Sequence, residues 1–371
     1  MILPEAFIIL YSILIVFLCF GFVKVTNEST NFQKSSFSNP KTRFSIVIPF
    51  RNETENLERL LTSLAFLDYP VSLYEILLIN DASTDDSVAV IEAFQFKSKL
   101  NLQILNSERF SGSPKKDALT RGIAKAAFEW IVTTDADCMV SSNWLKHLNL
   151  KIIQQDVSFI AGPVTFFENT GFLNRFQHLD FLSLQGATIG SFGLHQAFMC
   201  NGANLAFAKA EFLKLEGYSK SSHIASGDDV FLMQQFMNFD SKSVSYLKST
   251  EALVYTNAQK SWKNLLQQRK RWAAKAPAYK SKFAMLTSIL VLLGNASAVT
   301  AFMFFTEMWP FLTLKFLVDF ILIFLTAQLF DQKKSLKNFL LIVWIYPFFT
   351  VYIAIFSQFG KFEWKGRNFK R

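Results

Sequence analysis

The sequence predicts an α/β domain built on a mainly parallel sheet and flanked by N- and C-terminal transmembrane helices. Three observations lead there. Buried-strand runs alternate with helix-period segments from residue 44 to residue 137, long apolar stretches lie at residues 2–23 and from about 284 onward, and acidic residues recur where the strand runs end. A mean hydropathy of +0.23 is high for a soluble chain, and its excess sits in the two terminal regions rather than in residues 44–260.

Residues 2–23 are apolar over about the ~20 residues that cross a bilayer. Glu5 replaces the basic start of a cleaved leader and Lys24 stands where a small-residue exit would be, so a retained anchor is expected. Lys24, Lys34, Lys41 and Arg43 follow, which places the downstream domain in the cytoplasm. A Ser/Thr/Asn-rich linker covers 26–42.

Strand runs follow at FSIVIPF (44–50), YEILLIND (74–81), NLQILN (101–106) and EWIVTTDAD (129–137), separated by helical segments such as ENLERLLTSLAFL and KKDALTRGIAKAAF. Strands divided by helices imply a parallel sheet with its site outside the carboxyl ends of the strands. Asn52, Glu53, Asp81, Asp135 and Asp137 all fall at those ends.

Beyond the domain, apolar segments at roughly 284–305, 310–330 and 338–359 give three or four membrane helices in total. Glu307 in FTEMWP suits an outer turn, and Lys333, Lys334 and Lys337 suit an inner loop. The basic tail then falls outside against its own charge, unless Pro347 breaks the last segment into a re-entrant hairpin. Lys315 and Asp319 are spaced i,i+4 within an apolar segment, which predicts a mutually neutralised pair.

The net charge of +9 is concentrated beside the apolar segments, at Lys260, Lys263, Arg269, Lys270, Arg271, Lys275, Lys280 and Lys282. That pattern implies membrane lipids as partners, with no nucleic acid, since no recognition motif accompanies the basic run. Three cysteines, one in the first apolar run, make no disulfide framework and fit a reducing compartment. The four histidines have no ligand spacing, and no Walker loop, nucleophile elbow or dinucleotide glycine fingerprint occurs.

PFRNETENL, NDASTDDS, TTDADC, CNGANLAF, SGDDVFL and QRKRW occur in this order. Together they resemble the membrane-bound family 2 glycosyltransferases with a GT-A catalytic domain, over about residues 44–275. The membrane layout is similar to that of ceramide glucosyltransferases and processive polysaccharide synthases. The resemblance divides the chain into an anchor (1–24), a linker (25–43), a catalytic domain (44–260), an interfacial amphipathic helix with QxxRW (261–283), transmembrane segments (284–359) and a basic tail (360–371).

The implied reaction is inverting transfer of a hexose from a UDP-sugar donor to a lipid or lipid-linked acceptor at the cytoplasmic face of the cell membrane, assisted by Mg²⁺ or Mn²⁺. Asp-x-Asp at a strand end offers hard oxygen ligands and leaves positions for phosphate and water. By the resemblance Asp137 is the metal ligand and Asp135 its partner toward the ribose or sugar. Asp81 binds the uracil or ribose, with Pro49, Arg51 and Glu53 lining the same mouth. Lys115 and Lys116 precede a helix within reach of a phosphate; Lys116 is assigned to the donor, and a surface role is expected for one of the two. Asp85 and Asp86 are read as helix caps.

Asp229 matches the final Asp of the family's Thr-Glu-Asp station and is the expected general base. Gly227 and Asp228 replace the Thr and Glu, which leaves Asp228 either capping the next helix or contacting the acceptor. Asn201, Gly202 and Asn204 are expected in the sugar and acceptor cleft. Gln268, Arg271 and Trp272 match Gln-x-x-Arg-Trp and share one helical face, where Arg clamps diphosphate and Trp walls the sugar. Arg269 and Lys270 are expected to face lipid. The alternatives are a processive polysaccharide synthase and a non-catalytic membrane protein on the same fold.

Overall fold

The computed structural model describes residues 2–28, 40–98, 100–168, 170–222, 224, 227–274, 281–357, 362–364 and 367–369. In chain order the elements are α1 (Ile2–Lys24), β1 (Phe44–Phe50), α2 (Thr54–Ala65), β2 (Tyr74–Asn80), α3 (Ser87–Lys97), β3 (Leu102–Asn106), α4 (Pro114–Lys125), β4 (Trp130–Thr133), β5 (Met139–Val140) and α5 (Trp144–Gln154). They continue with β6 (Phe159–Ala161), β7 (Val164–Phe166), α6 (Phe172–Gly193), β8 (Leu205–Ala208), α7 (Lys209–Lys214), α8 (Asp228–Phe239), β9 (Val244–Tyr246) and β10 (Val254–Thr256). The last group is α9 (Trp262–Ala273), α10 (Lys282–Met303), α11 (Phe305–Leu329), α12 (Phe339–Phe356), β11 (Phe362–Trp364) and β12 (Arg367–Phe369).

The chain forms two compact units: one of residues 26–167 and 199–257, the other of 1–25, 168–198 and 258–371. In the first, a seven-stranded sheet runs β3-β2-β1-β4-β8-β6-β9. β3, β2, β1 and β4 are parallel, and β8 enters antiparallel between β4 and β6. β1 and β2 pair from Phe44↔Tyr74 to Phe50↔Asn80, so both deliver their following loops to the same edge. Their near-continuous apolar runs reflect burial on both faces: Ile46, Val47, Ile48, Ile76, Leu77, Leu78 and Ile79 are inaccessible.

α2 buries Leu57, Leu60, Leu61 and Leu64, the stripe of an amphipathic helix. α4 starts with Pro114 at its first turn and lies so close to β1 that a Cβ on Gly122 would stand 2.5 Å from Val47 Cγ1. This approach seats the C-terminal half of α4 on the sheet; its first turn carries Lys115 and Lys116. A smaller sheet, β5-β10-β7, completes the unit.

The second unit is helical. α1 packs on α6, α10 and α11, and its contact with α6 is backbone to backbone: a Cβ on Gly21 would lie 2.0 Å from Gly190 O. Only glycine permits that approach. α6 thus belongs with the apolar helices, although it lies in sequence between strands of the first unit. Four helical segments, Ile2–Lys24, Lys282–Met303, Phe305–Leu329 and Lys333–Phe356, are long and apolar enough to cross a membrane.

Two local expectations change. α12 runs unbroken past Pro347, so it has no re-entrant break there. The turn expected at FTEMWP is the single residue Phe304, and Glu307 and Pro310 already belong to α11. Glu307 in the first turn suits the positive end of the helix dipole. Lys315 Nζ donates to Asp319 Oδ2 at 2.7 Å, and Tyr11 Oη donates to Asp319 Oδ1 at 2.6 Å.

Candidate active site

The loops leaving β1 and β2 are tied to each other. Arg51 Nη1 donates to the carbonyls of Asp81 and Ala82 at 2.7 and 2.6 Å, and Asn52 Oδ1 accepts the Thr84 N–H at 2.8 Å. Asn52 and Ala82 both take left-handed backbone, with φ of 52° and 54°. That conformation is readily tolerated by Asn and costs Ala more, and such strain collects at functional loops. Asp81 is buried and ion-paired with Arg109, which follows β3. Pro49 lies near the end of β1, opposite Ile79.

Glu53 is also buried. Its N–H donates to Ser87 Oγ at 2.8 Å and its Oε2 accepts from Asn56 at 2.7 Å. Asp85 ties the starts of two helices together, accepting from the Thr54 N–H and hydroxyl and from the Ser87 N–H. What burial Asp85 has pushes its pKa up, but the hydrogen bonds from Ser87 and Thr54 outweigh it and hold the carboxyl at about 2. Asp86 sits at the N-cap position of α3 without a side-chain capping bond.

Lys115 occupies the centre of the charged edge. Its Nζ lies 2.7 Å from Asp135 Oδ1 and 3.1 Å from Asp228 Oδ2. Burial alone would lower its pKa; Asp135, Asp228 and then Asp229 outweigh it and hold the ammonium well above its ordinary value. Asp228 and Asp229 open α8 behind Gly227, whose φ of 83° makes the left-handed entry. Asp228 is therefore in the first turn, where the helix dipole favours an anion, and it reaches Lys115.

Asp229 Oδ1 accepts the Val230 N–H at 2.8 Å and Oδ2 the Gly202 N–H at 3.3 Å. A Cβ on Gly202 would stand 3.1 Å from Asp228 Oδ2 and 3.4 Å from Lys115 Nζ. Gly202 thus admits the close meeting of β4, α4 and α8 side chains. Thr133 Oγ1 fixes it from the end of β4, donating to Gly202 O at 3.0 Å.

Asp135 and Asp137 leave β4 partly accessible. Arg59 donates to the Asp137 carbonyl at 3.2 Å, and Cys138 Sγ to Asp137 Oδ1 at 3.7 Å. Burial first, then the charges of Asp137 and Asp135, push the Cys138 thiol well up. Among the described residues no group of three or more His, Cys, Asp or Glu is placed to hold a metal. Two hard carboxylates at a strand end fit a divalent cation whose remaining ligands are phosphate and water rather than protein.

The structure corrects three assignments. Lys116 is 1% exposed and turned away from the carboxylates: its Nζ donates to Ser221 O, Ser221 Oγ and Ile224 O at 2.6–3.0 Å. The helix starts between the two lysines' directions, and Lys115 is the one delivered to the edge. Asn204 is fully buried; its amide donates to Pro163 O and Ala252 O and accepts from Trp144 Nε1, so it braces the loops instead of lining a cleft. Arg269 does not face lipid but is buried against Asp180, because a guanidinium in an apolar unit needs a counter-charge. Asn201, by contrast, keeps to the loop beside Gly202, where its Oδ1 accepts the Ala203 N–H at 3.0 Å. Gln268, Arg271 and Trp272 lie on α9, in the helical unit.

The family model "Glycosyl transferase family group 2" matches residues 130–356, and "Glycosyl transferase family 2" matches 45–213. The chain belongs to the family 2 glycosyltransferases. Among curated relatives of this family 2 chain is the poly(ribitol-phosphate) beta-N-acetylglucosaminyltransferase TarS of Staphylococcus aureus, 32% identical over 28% of the chain and 18% of TarS. Another is the poly-beta-1,6-N-acetyl-D-glucosamine synthase of Staphylococcus epidermidis, 25% identical over 62% of the chain and 53% of the synthase. The chain thus spans at most about half the length of these two relatives. A similar solved structure is a mannosyltransferase from Pyrobaculum calidifontis in complex with GDP-Man and Mn²⁺, with a TM-score of 0.59 and 15% identity, covering 96% of this chain and all of that one. At that identity the likeness speaks for the fold, GT-A.

Sequence reasoning missed Arg109 and undervalued Lys115. Arg109 follows β3 as Asp81 follows β2, so the rule that sites gather at strand ends would have found it.

Proposed function

We propose that this chain is an inverting, metal-dependent hexosyltransferase that moves one sugar from a UDP-sugar to a lipid or lipid-linked acceptor at the cytoplasmic face of the cell membrane. The observation that carries the reading is the meeting of Asp135, Asp228 and Asp229 around Lys115 and Gly202 at the carboxyl edge of the sheet. A divalent cation, Mg²⁺ or Mn²⁺, would be held by Asp137 with Asp135 and would neutralise charge on the departing diphosphate. The Mn²⁺ of the Pyrobaculum mannosyltransferase supports a divalent ion.

Asp229 is the general base: it takes the acceptor hydroxyl's proton as that oxygen bonds the anomeric carbon and the carbon–diphosphate bond breaks on the opposite face. The two N–H groups on its oxygens fix the direction of its carboxylate. Asp81, with Pro49, Arg51 and Glu53, receives the nucleoside. Lys115 sits where it can exchange Asp135 for a phosphate oxygen. Gly202 and Asn201 border the sugar, and the QxxRW motif by itself assigns Gln268, Arg271 and Trp272 of α9 to diphosphate and sugar handling. Lys24, Lys41 and Arg43 before β1 support a cytoplasmic domain, and the four apolar helical segments support a multi-pass protein.

The polymer-synthase relative favours a second reading, repeated transfer to a growing polysaccharide. One experiment separates them. Purified, detergent-solubilised protein is given a panel of UDP-sugars and GDP-mannose with a total lipid extract, with and without Mn²⁺, followed by nucleotide-release assay and mass spectrometry. One hexose added to one lipid class is expected; a ladder of masses supports the polymer synthase, and absence of metal-dependent turnover with every donor overturns both.

A further inference from the structure

We propose that Asp180 and Arg269 are positioning residues for the QxxRW motif, holding Gln268 and Trp272 in their working orientation. Arg269 is one of the two unspecified residues inside that motif, yet it is 5% exposed and its guanidinium is engaged on several sides. Its Nε donates to Asp180 Oδ2 at 2.7 Å and its Nη2 lies 2.6 Å from the same oxygen. Nη1 donates to Gln268 Oε1, and the guanidinium carbon sits 4.2 Å from the centre of the Trp272 ring. One cation therefore touches the first and last residues of the motif at once, by a hydrogen bond and by a cation–π contact.

α6 and α12 supply the support. Asp180 is buried, and its other oxygen, Oδ1, accepts from Tyr346 Oη at 2.9 Å. Phe181, the next residue of α6, meets the Trp272 ring with centroids 6.3 Å apart. Trp272 thus contacts the Arg269 guanidinium and an aromatic ring, both set by α6. A side chain whose rotamer is fixed by two neighbours presents its remaining face without paying to order it.

The inference rests on the reading that Gln268 and Trp272 face the reacting groups. The test is a double-mutant cycle on kcat with Asp180→Asn, Trp272→Ala and both together, with thermal unfolding of each variant alongside. Loss of a charge-assisted hydrogen bond predicts a kcat lower by about ten- to a hundredfold for Asp180→Asn. If Asp180 acts through Trp272, the double variant is no slower than Trp272→Ala. Losses that multiply, or an Asp180→Asn enzyme as fast as the parent, overturn the proposal. Full activity of Trp272→Ala instead defeats the placement of the motif in the site, a distinguishable failure.

Asp180→Asn leaves a buried guanidinium without its counter-charge. Should that variant not fold, the neutral pair Asp180→Asn with Arg269→Gln replaces it in the same cycle and is read the same way. Tyr346→Phe, which keeps the ion pair, is expected to cost less than Asp180→Asn; an equal or larger kcat loss would place the control in α12 and overturn the assignment to Asp180.

Discussion

The charged edge of the sheet unit and the ion pairs of the helical unit handle charge in opposite ways. In the sheet unit, carboxylates stand at strand ends and at a helix start, and the groups that bind them stay partly open: Asp135 keeps 36% of its side chain accessible while paired with Lys115. In the helical unit the pairs are closed. Lys315 is 1% exposed against Asp319, and Arg269 is as deeply sealed against Asp180. A half-open ion pair exchanges partners with an incoming ligand at little cost, whereas a sealed pair must stay together or leave a charge in apolar surroundings. The first arrangement suits binding and the second suits architecture.

That contrast is tested most directly at the two carboxylates proposed to act in the reaction. Asp229→Asn removes the proposed base and is expected to lower kcat about 10²–10⁴-fold while sparing UDP affinity. Asp137→Ala removes the proposed metal ligand. Two unit charges ~4 Å apart are worth roughly 4 kcal/mol at an effective dielectric of about 20, so turnover is expected to fall by about 10³-fold and lose its metal dependence. Single-turnover rates and UDP titrations check both, and retained turnover in either variant removes that residue from the site.

The sheet, its parallel order and the strand-end carboxylates were legible because each rests on local pattern: apolar runs such as FSIVIPF, turn loops behind them, and Asp81, Asp135 and Asp137 at fixed offsets. What was not legible depended on contacts distant in sequence. Nothing local to KKD tells which lysine faces Asp228, 113 positions after Lys115 and 112 after Lys116; the partners, Asp228 for one and Ser221 with Ile224 for the other, arrive from distant segments. Asn204 reads like a cleft residue until Pro163, Ala252 and Trp144 arrive from three other segments. α6 shows the same limit, since its glycine contacts with α1 and its Asp180–Arg269 pair with α9, both distant in sequence, are what place it in the helical unit.

The closed Lys315–Asp319 pair, which lies apart from the QxxRW motif in sequence, predicts a stability effect rather than an activity effect. Lys315→Ala leaves Asp319 uncompensated and is expected to destabilise by about 3–5 kcal/mol, while Lys315→Leu with Asp319→Leu, which removes both charges, is expected to be near neutral. Unfolding of the detergent-solubilised protein measures this. A harmless single substitution, or a double as costly as the single, would mean that this pair is not sealed.

The adjacent lysines sharpen the same distinction within the sheet unit. Lys115→Ala is expected to slow turnover about ten- to a hundredfold, the worth of a charge-assisted contact, with little loss of stability. Lys116→Ala is expected to do the reverse, costing about 1–3 kcal/mol of stability because Ser221 and Ile224 carbonyls lose their donor, while the folded fraction keeps its rate. Exchanged phenotypes would return the donor contact to Lys116.

The smallest expected effect concerns Asp85, an exposed carboxylate that behaves as architecture. Its folded pKa of about 2 lies below the ordinary 3.8, so the folded state holds its proton less tightly than the unfolded chain does. The stabilisation is therefore full above about pH 4 and is lost as pH falls through the folded value near 2. Solvent screening keeps it under about 1 kcal/mol. Unfolding midpoints of the parent and Asp85→Asn should differ at pH 6 and converge toward pH 2. A gap that is constant with pH would show that the Asp85 contacts to Thr54 and Ser87 act as neutral hydrogen bonds, and that charge at this edge is confined to the residues around Lys115.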